Sequence, residues 1–186
     1  RDAYYGDPNF VDVPMAALLS DAYSEIRRPL IDMAKASLEA RPGDPLAMSA
    51  LREGEAVFRP GSGGTTTCVV ADRWGNVVSA TPSANVASGK GGGQAGVTYG
   101  NRLLSLNTTP GHPNCIAAGK RPRITLTPTL VFKNDRPVLA ISVAGADRQD
   151  QAALNLLLDH IDFGMQPEQA VTAPRFSTSH HEDSFD

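Results

Sequence analysis

Gly64 and Thr65 could together supply a nucleophile with its own base. A threonine hydroxyl is a weak nucleophile until a base takes its proton. If the bond between the two residues were cut, the new α-amine of Thr65 would be that base, because an α-amine with a pKa of about 7.7–8.0 is partly neutral near physiological pH. The amine and the hydroxyl share one residue, so little positioning entropy is lost. Gly63 and Gly64 tolerate the distorted backbone that cutting requires.

A plainer interpretation of the same segment stays open. Residues 59–64 read Arg-Pro-Gly-Ser-Gly-Gly, which is the composition of an accessible and flexible linker. Threonine-rich runs such as residues 65–67 are also common at the start of structural strands. On composition alone, the segment is either a cutting site or a linker that leads into a strand.

The pattern after residue 64 predicts two antiparallel hairpins that would position this segment. Each consists of a short run of β-branched and apolar residues, a turn, and a similar return run. The strands are residues 65–71 with 77–81 and residues 127–132 with 138–143, and the turns are residues 72–76 and 134–135.

Helices are predicted on both sides of the hairpins. Residues 1–59 are interpreted as helical, with one helix after Pro14, a second over residues 30–38, and a loop at residues 41–45. After the hairpins, one helix carries an apolar face and ends near Gly164, and a short helix follows over residues 167–171. The residues of that apolar face are Leu154, Leu157, Leu158 and Ile161.

This order of elements favours an α+β fold with helices packed against antiparallel sheet, since strands and helices do not alternate as βαβ units. The chain has 186 residues and a formal charge of −3 without a basic stripe, which makes nucleic acid an unsuitable partner. No apolar run is long enough to span a bilayer. Cys68 and Cys115 form neither a disulfide framework nor a metal-ligand motif. The four histidines have no metal-ligand spacing, so we predict no metal and no other cofactor.

An ordered set of motifs covers nearly the whole chain and resembles the gamma-glutamyltransferase family. The segment 65–79 opens with Thr-Thr, reaches an aspartate at Asp72 and continues through a Gly-Asn turn, as the small subunit of that family does. The other matching motifs are Gly6-Asp7-Pro8, Lys120-Arg121-Pro122, Thr127-Pro128-Thr129, Ile161-Asp162-Phe163-Gly164 and Ala173-Pro174-Arg175-Phe176.

The resemblance implies the four-layer αββα sandwich of the N-terminal-nucleophile hydrolases and a precursor that cuts itself into two subunits. On this basis, residues 1–64 are the helical C-terminal part of the large subunit plus a linker. Residues 65–186 are the catalytic αββα portion of the small subunit, truncated at its C-terminus. The implied partners are a small-molecule amide substrate and the N-terminal part of the large subunit.

The resemblance also implies roles for individual residues. Gly64 and Thr65 match the autocleavage site, and Thr65 matches the nucleophile. Ser83 matches a hydroxyl residue that hydrogen-bonds the nucleophile, and Asn85 matches a substrate-binding asparagine. Without the family, Ser83 and Asn85 are better explained as a polar turn after Pro82.

Residues 143–147 fall where the family has an oxyanion hole made of successive backbone amides. We expect Asp147 to be the N-cap of the following helix, which would place the amides of Gly145 and Ala146 near a helix N-terminus. Amides there can stabilise the charge that develops on a carbonyl oxygen. A simple strand-to-helix turn is the alternative.

Two departures from the family pattern concern recognition of the glutamyl group. A pair of serines that holds the substrate's α-carboxylate is replaced by Ile124 and Thr125, which leaves Thr125 as the candidate substrate-binding hydroxyl. An acidic pair that binds the α-amino group is absent from residues 101–107, and a buried ammonium without a carboxylate partner is costly. The sequence is therefore more similar to the divergent branch that includes acylases and amidohydrolases.

Three functions are considered on this basis. The first is a self-processing threonine amidohydrolase or acyltransferase that cleaves gamma-glutamyl amides such as glutathione. The second uses the same nucleophile on another acyl group, as a cephalosporin-acylase-like or small-amide hydrolase. The third is an inactive precursor fragment or pseudoenzyme, and we expect the isolated chain to have little or no activity.

Overall fold

Antiparallel hairpins and short helices make up the computed structural model, which describes residues 1–52, 65–83, 90–91, 93–96, 98–100 and 102–178. The α-helices are α1 Met15–Leu18, α2 Asp21–Arg27, α3 Gln149–Ile161 and α4 Pro167–Thr172. The strands are β1 Cys68–Ala71, β2 Val77–Ala80, β3 Lys90–Gly91, β4 Thr98–Tyr99, β5 Thr129–Lys133 and β6 Arg136–Ile141.

The first predicted hairpin is confirmed, with β1 paired to β2 from Cys68 opposite Ala80 to Ala71 opposite Val77. Asp72 closes the turn because its carboxylate accepts the backbone N–H groups of Trp74 and Asn76, each at 2.9 Å. The regular strand begins at Cys68, three residues later than expected. Thr65 therefore lies three residues before the regular strand, where it forms an isolated antiparallel bridge with Ser83.

The second predicted hairpin is also confirmed, with β5 paired to β6. Asn134 and Asp135 both have positive φ, 53° and 60°. This is the conformation that a two-residue type I′ turn needs, and asparagine and aspartate tolerate it. The turn residues in the sequence thus fix the connection.

Side-chain hydroxyls join the two hairpins where β2 and β6 end. Ser79 Oγ donates to the carbonyl of Ile141 at 2.6 Å, and Ser142 Oγ donates to the carbonyl of Ala80 at 2.8 Å. The hydroxyls of Thr81 and Ser142 are 2.8 Å apart. Because of these bonds, the residues that follow β2 and the residues that follow β6 begin side by side.

The helices after the second hairpin agree with the prediction, since α3 runs from Gln149 to Ile161 and α4 from Pro167 to Thr172. Gly164 has φ of 68°, which suits the residue that stops α3. Leu154, Leu158 and Ile161 are exposed, whereas Gln149 and Ala153 are the buried residues of α3. Leu157, the remaining residue of the predicted apolar face, is half-buried, so the described part of the chain covers this face only in part.

The helical interpretation of residues 1–59 is wrong in part. α1 and α2 are separate, because Ser20 Oγ accepts the N–H of Tyr23 at 3.1 Å and starts a new helix. The expected helix at residues 30–38 is absent. Met33 is 93% exposed and Leu38 is 91% exposed. A helix this short is stabilised mainly by packing of its apolar face, and here that packing is missing. Residues 53–59 lie outside the described residues.

Buried side chains in the described residues are more often polar than apolar. The apolar ones are Tyr23, Leu106, Ile141, Ala153 and Ala170. The polar or charged ones are Asp7, Thr81, Ser105, Asn114, Lys120, Thr125, Asp147 and Gln149. Buried polar groups usually have hydrogen-bond partners, and Asp7, Asn114 and Gln149 use theirs to bond other segments of the chain.

Helices and antiparallel strands agree with the expected α+β class. Within the described residues, the strands form two-stranded sheets, β1 with β2, β3 with β4 and β5 with β6. The four-layer αββα arrangement stays a prediction. No helix in the described part of the chain has the length and apolar character needed to cross a membrane.

Candidate active site

The hydroxyls of Thr65 and Ser83 meet just beyond the first hairpin. Thr65 and Ser83 form an isolated antiparallel bridge, and the N–H of Thr66 donates to the carbonyl of Pro82 at 3.0 Å. Thr65 Oγ1 lies 3.2 Å from Ser83 Oγ, within hydrogen-bond distance. The backbone pairing that extends from β1 and β2 therefore brings together the expected nucleophile and the expected hydroxyl partner.

A third side chain, Gln149 at the start of α3, contacts the same hydroxyl. Gln149 is fully buried, with 0% of its surface exposed. One terminal atom of its amide lies 3.4 Å from Thr65 Oγ1. The other lies 3.0 Å from the carbonyl oxygen of Val143 and 3.3 Å from that of Thr125.

The two possible orientations of the Gln149 amide differ in their chemistry. If the nitrogen faced Thr65, the amide oxygen would point at two carbonyl oxygens, and three acceptors would face one another. In the opposite orientation, Nε2 donates to the carbonyls of Val143 and Thr125, and Oε1 faces the Thr65 hydroxyl. We adopt the second orientation, because amide oxygen and nitrogen are assigned from the hydrogen-bond network and only this one satisfies both ends of the group.

Residues 143–146 leave β6 and lead to α3 through a strained backbone. Gly145 has φ of 138° and Ala146 has φ of 48°. The first value is open to glycine, whereas the second costs an alanine about 1–2 kcal/mol. A short 3₁₀ turn, Ala146–Arg148, then runs directly into α3. Among the described residues, the N–H groups of Gly145 and Ala146 have no hydrogen-bond acceptor.

The expectation that Asp147 is an N-cap is wrong. The residues at the N-cap positions are Gly145 for the 3₁₀ turn and Arg148 for α3, and neither end has a side-chain cap. Asp147 lies inside the turn and is buried, and its carboxylate is 2.5 Å from Nη2 of Arg1. An ion pair with a residue distant in sequence thus takes the carboxylate that the local pattern assigned to capping.

Arg102 lies near the same carboxylate. Burial lowers the pKa of the Arg102 guanidinium, and the neighbouring charge of Asp147 partly offsets that effect. Arg102 begins a 3₁₀ turn, Arg102–Ser105, in the region where the acidic pair was sought. The described residues there, 102–107, contain this cation and neither aspartate nor glutamate.

Thr125, the expected substrate-binding residue, is next to this group of residues. Its carbonyl accepts from Gln149, as described above. Thr125 is buried, and its hydroxyl has no hydrogen-bond partner among the described residues. The neighbouring Ile124 is exposed. The substrate-binding role of Thr125 stays a prediction.

Other expected site residues lie outside the described residues. These are Gly64 of the cutting site and Asn85 of the substrate site. Among the described residues, His112 does not belong to a group of three or more side chains that could hold a metal ion, because none is found there. Instead, His112 accepts the N–H of Asn114 at Nδ1 and faces Asp2 at Nε2, at 2.9 Å and 3.2 Å.

Residues 1–11 are named the N-terminal arm here. In this arm, Asp7 of the Gly6-Asp7-Pro8 motif contacts Arg121 of the Lys120-Arg121-Pro122 motif. Both oxygens of the Asp7 carboxylate accept from Arg121, at 3.0 Å from Nη2, 3.2 Å from Nε and 2.9 Å from the backbone N. These bonds, with the Arg121 guanidinium as the main cause, lower the pKa of Asp7. Gly6 is required beside them, since an added Cβ would lie 2.3 Å from the carbonyl oxygen of Pro113.

Comparison with known proteins agrees with this arrangement of motifs. The family model described as gamma-glutamyltranspeptidase matches residues 1–185. The chain belongs to the gamma-glutamyltranspeptidase family. The resemblance expected from the ordered motifs is therefore confirmed for the whole described chain.

Relatives in the gamma-glutamyltranspeptidase family are named after different activities. The glutathione hydrolase proenzyme of Bacillus subtilis (strain 168) is 36% identical over 188 residues, covering 96% of this chain and 32% of the relative. The acylase ACY 1 proenzyme of Pseudomonas sp. (strain SE83) is 35% identical over 177 residues, covering 92% of this chain and 29% of the relative. The solved structure of LmbA2991HD has a TM-score of 0.78 and 35% identity, covering 99% of this chain and 33% of that chain.

This chain thus spans about a third of the length of the family members it matches. Its relatives are hydrolases and acylases named as proenzymes. Membership of the gamma-glutamyltranspeptidase family supports an amide-hydrolysing or acyl-transferring class of enzyme.

Gln149 is the residue of this site that the sequence interpretation missed. A signal was present, because Gln149 and the buried Ala153 are four residues apart and share one face of α3. A glutamine on the buried face of a helix must hydrogen-bond within the protein. A polar residue such as Gln149 is not part of an apolar stripe, so the apolar pattern of α3 does not reveal it.

Proposed function

We propose that the full-length protein containing this chain is a self-processing amide hydrolase in which Thr65 is the nucleophile. The observation that carries the proposal is the position of the Thr65 hydroxyl, which contacts Ser83 at 3.2 Å and the Gln149 amide at 3.4 Å. A hydroxyl held from two sides is suited to attack a carbonyl that is brought to it.

The cutting step follows from this position. The Thr65 hydroxyl oxygen attacks the carbonyl carbon of Gly64, the C–N bond between the residues breaks, and the nitrogen takes up the proton. An ester between Gly64 and the Thr65 side chain results. Water then hydrolyses the ester, which leaves a carboxylate on Gly64 and a free α-amine on Thr65.

The same atoms then carry out turnover on a substrate amide. The α-amine takes the hydroxyl proton as Thr65 Oγ1 attacks the substrate carbonyl. The leaving amine receives that proton, and the acyl group remains on Thr65 as an ester until water or another amine accepts it. Ser83 holds the nucleophile, and the N–H groups of Gly145 and Ala146 are directed to the oxyanion.

The first candidate substrate class is gamma-glutamyl amides, of which glutathione is one. The support is the 36% identity to a glutathione hydrolase proenzyme over 96% of the chain. In this reading, the free hydroxyl of Thr125 and the amide of Asn85 contact the glutamyl group. The four-layer αββα sandwich that the family implies would surround them.

A second candidate class, amides of acyl groups without an α-ammonium, is favoured by one observation. Arg102 lies in the region where, by the resemblance, glutamyl-specific members of the family carry an acidic pair. Its guanidinium is partly buried. The described residues 102–107 include no aspartate or glutamate that could pair with an α-ammonium group, and an ammonium bound without a carboxylate partner is costly. The 35% identity to an acylase proenzyme agrees with this class.

A matched pair of substrates separates the two classes. Glutaryl anilide and gamma-glutamyl anilide differ only by the α-ammonium group, so the ratio of their kcat/KM values reports how the site treats that charge. A ratio in favour of the gamma-glutamyl compound supports the first class, and a ratio in favour of the glutaryl compound supports the second. Hydrolysis of neither compound, with an uncut chain, would support an inactive precursor or pseudoenzyme.

Activity is proposed to need the rest of the protein. The apolar side chains of Leu154, Leu158 and Ile161 on α3 are exposed in this chain, and a contiguous exposed apolar surface is typical of an interface. The isolated chain of 186 residues is therefore expected to show little or no turnover. Robust turnover by the purified chain alone would contradict this part of the proposal.

A further inference from the structure

We propose that Gln149 is a positioning residue that ties the nucleophile to the loop that receives the oxyanion. This inference rests on the proposed function of Thr65. No other described side chain is placed so as to contact Thr65, residue 143 and residue 125 together. Those are the three segments on which the site depends.

The hydrogen-bond capacity of a glutamine fits its surroundings here. A glutamine amide has two N–H donors and one carbonyl acceptor. Both donors are used by the carbonyls of Val143 at 3.0 Å and Thr125 at 3.3 Å. The acceptor is therefore directed to the third neighbour, the Thr65 hydroxyl at 3.4 Å. Complete burial leaves no water to replace any of these partners.

Gln149 and Ser83 together restrict the position of the Thr65 hydroxyl. A hydroxyl has one proton and two lone pairs. Thr65 Oγ1 is the donor in its contact with Ser83 Oγ at 3.2 Å, so Ser83 Oγ and Gln149 Oε1 face the same hydroxyl proton from two sides, and the two contacts restrict where Thr65 Oγ1 can lie. That proton leaves when a base takes it, so the contact with Gln149 acts before the reaction, on where the oxygen is placed.

The donor end of Gln149 explains why placement matters. Val143 begins the segment that carries Gly145 and Ala146, so the same amide fixes the distance between the nucleophile and the proposed oxyanion donors. A displacement of about 1 Å between reacting groups can cost about 100-fold in rate. Gln149 thus contributes through geometry rather than through proton transfer.

The test uses Gln149→Met in the full-length protein, which keeps the side-chain length and removes all three hydrogen bonds. The rate of self-cutting, followed by intact mass, and kcat are expected to fall by about 10- to 100-fold, while KM changes by less than about threefold. The matched control is Gln151→Met on the same helix. Gln151 hydrogen-bonds the backbone of Thr178 rather than the site, so its rates are expected to be unchanged.

A second variant, Gln149→Glu, distinguishes positioning from packing and remains informative if the methionine variant folds poorly. An ionised carboxylate would face the carbonyls of Val143 and Thr125, whereas the protonated acid restores one donor and keeps one acceptor. The cutting rate of this variant relative to the unaltered protein is therefore expected to rise as the pH falls.

Two results would overturn the inference and can be told apart. Rates within about twofold of the unaltered protein for Gln149→Met, together with a pH-independent ratio for Gln149→Glu, would remove the role of Gln149 and leave the proposed function standing. An unaltered protein that is never cut and never turns over would remove the proposed function, and this inference with it.

Discussion

The site around Thr65 and the N-terminal arm are held by different kinds of interaction. The described side-chain contacts of Thr65 are with neutral groups, the Ser83 hydroxyl and the Gln149 amide. The arm is held by charges, with Asp7 on Arg121 and Asp2 on Arg123 at 2.8 Å. The two regions meet where Arg1 contacts Asp147.

The neutral contacts suit the reactivity of Thr65, whereas the ion pairs of the arm suit the assembly of the protein. A nucleophile whose base is an α-amine works best when that amine keeps a pKa near the working pH, and neutral neighbours leave such a base less perturbed than charged ones would. The arm has no such requirement. If the Gly64–Thr65 bond is cut, the ion pair of Asp7 and Arg121 joins two separate chains, and directed charge pairs supply that connection.

The largest effect is expected from a substitution in the site, which lowers kcat and leaves the contacts of the arm unchanged. Gly145→Ala puts a side chain on a residue with φ of 138°, where the obstacle is backbone strain because an added Cβ meets no atom within 4 Å. The loop would relax and misdirect its amides, and loss of one oxyanion donor costs about 10²–10³-fold in kcat. Steady-state kinetics on the better of the two anilides measures it.

The control for this variant is Gly164→Ala. Gly164 also has positive φ and open space around it, but it ends α3 far along the helix from Gln149. It should cost about 1 kcal/mol of stability without a change in kcat. Equal losses of kcat in both variants would mean that the Gly145 effect is general destabilisation.

The next effect breaks the arm and spares the site. Asp7→Asn removes the charge that Arg121 pairs with, and we expect the melting temperature to fall by about 5 °C while kcat of the remaining folded protein is unchanged. The folded-state pKa of Asp7 is lowered, so its contribution is complete above the unfolded value of about 3.9 and is lost as the pH falls through the folded value.

Melting temperatures measured from pH 7 down to pH 3 test both points. The gap between the unaltered protein and Asp7→Asn should be constant above about pH 5 and shrink below about pH 4. Asp12→Asn, at an exposed position of the same part of the chain, is the control and should shift little at any pH. A gap that widens in acid would contradict the assigned role of Asp7.

The smallest effect sharpens the comparison within the site. Ala146→Gly removes the cost of φ at 48°, which is offset in part by the greater freedom of glycine in the unfolded chain. The net gain is expected to be about 0.5 kcal/mol by denaturant unfolding, with kcat within about twofold. A large loss of kcat would show that the strained alanine is itself needed to aim the loop.

The hairpins and the helices after them were predictable from sequence because their signals are local. β-Branched runs define the strands, and Asn134 with Asp135 defines a turn that few other residues adopt. The helix expected over residues 30–38 failed for the opposite reason. Its apolar spacing is regular, but Met33 and Leu38 are almost fully exposed and pack against little in the described part of the chain.

The site was predictable only in part. Thr65 and Ser83 followed from ordered motifs and lie within hydrogen-bond distance of each other, and the role of the loop at Gly145 stays a prediction. Asp147 and Gln149, by contrast, depend on partners far away in sequence. The carboxylate of Asp147 binds Arg1 instead of capping a helix. The amide of Gln149 has no local signal beyond its place on the buried face of α3.

The most direct test of Thr65 as a self-exposed nucleophile is intact mass spectrometry of the full-length protein, with Thr65→Ala and Thr66→Ala measured beside it. Thr66 is exposed and donates only its backbone N–H to Pro82, which makes it the matched control. Two fragments, one beginning at Thr65, should appear in the unaltered protein and in Thr66→Ala and be absent from Thr65→Ala. A single uncut mass in all three, or cutting that persists in Thr65→Ala, would contradict the account.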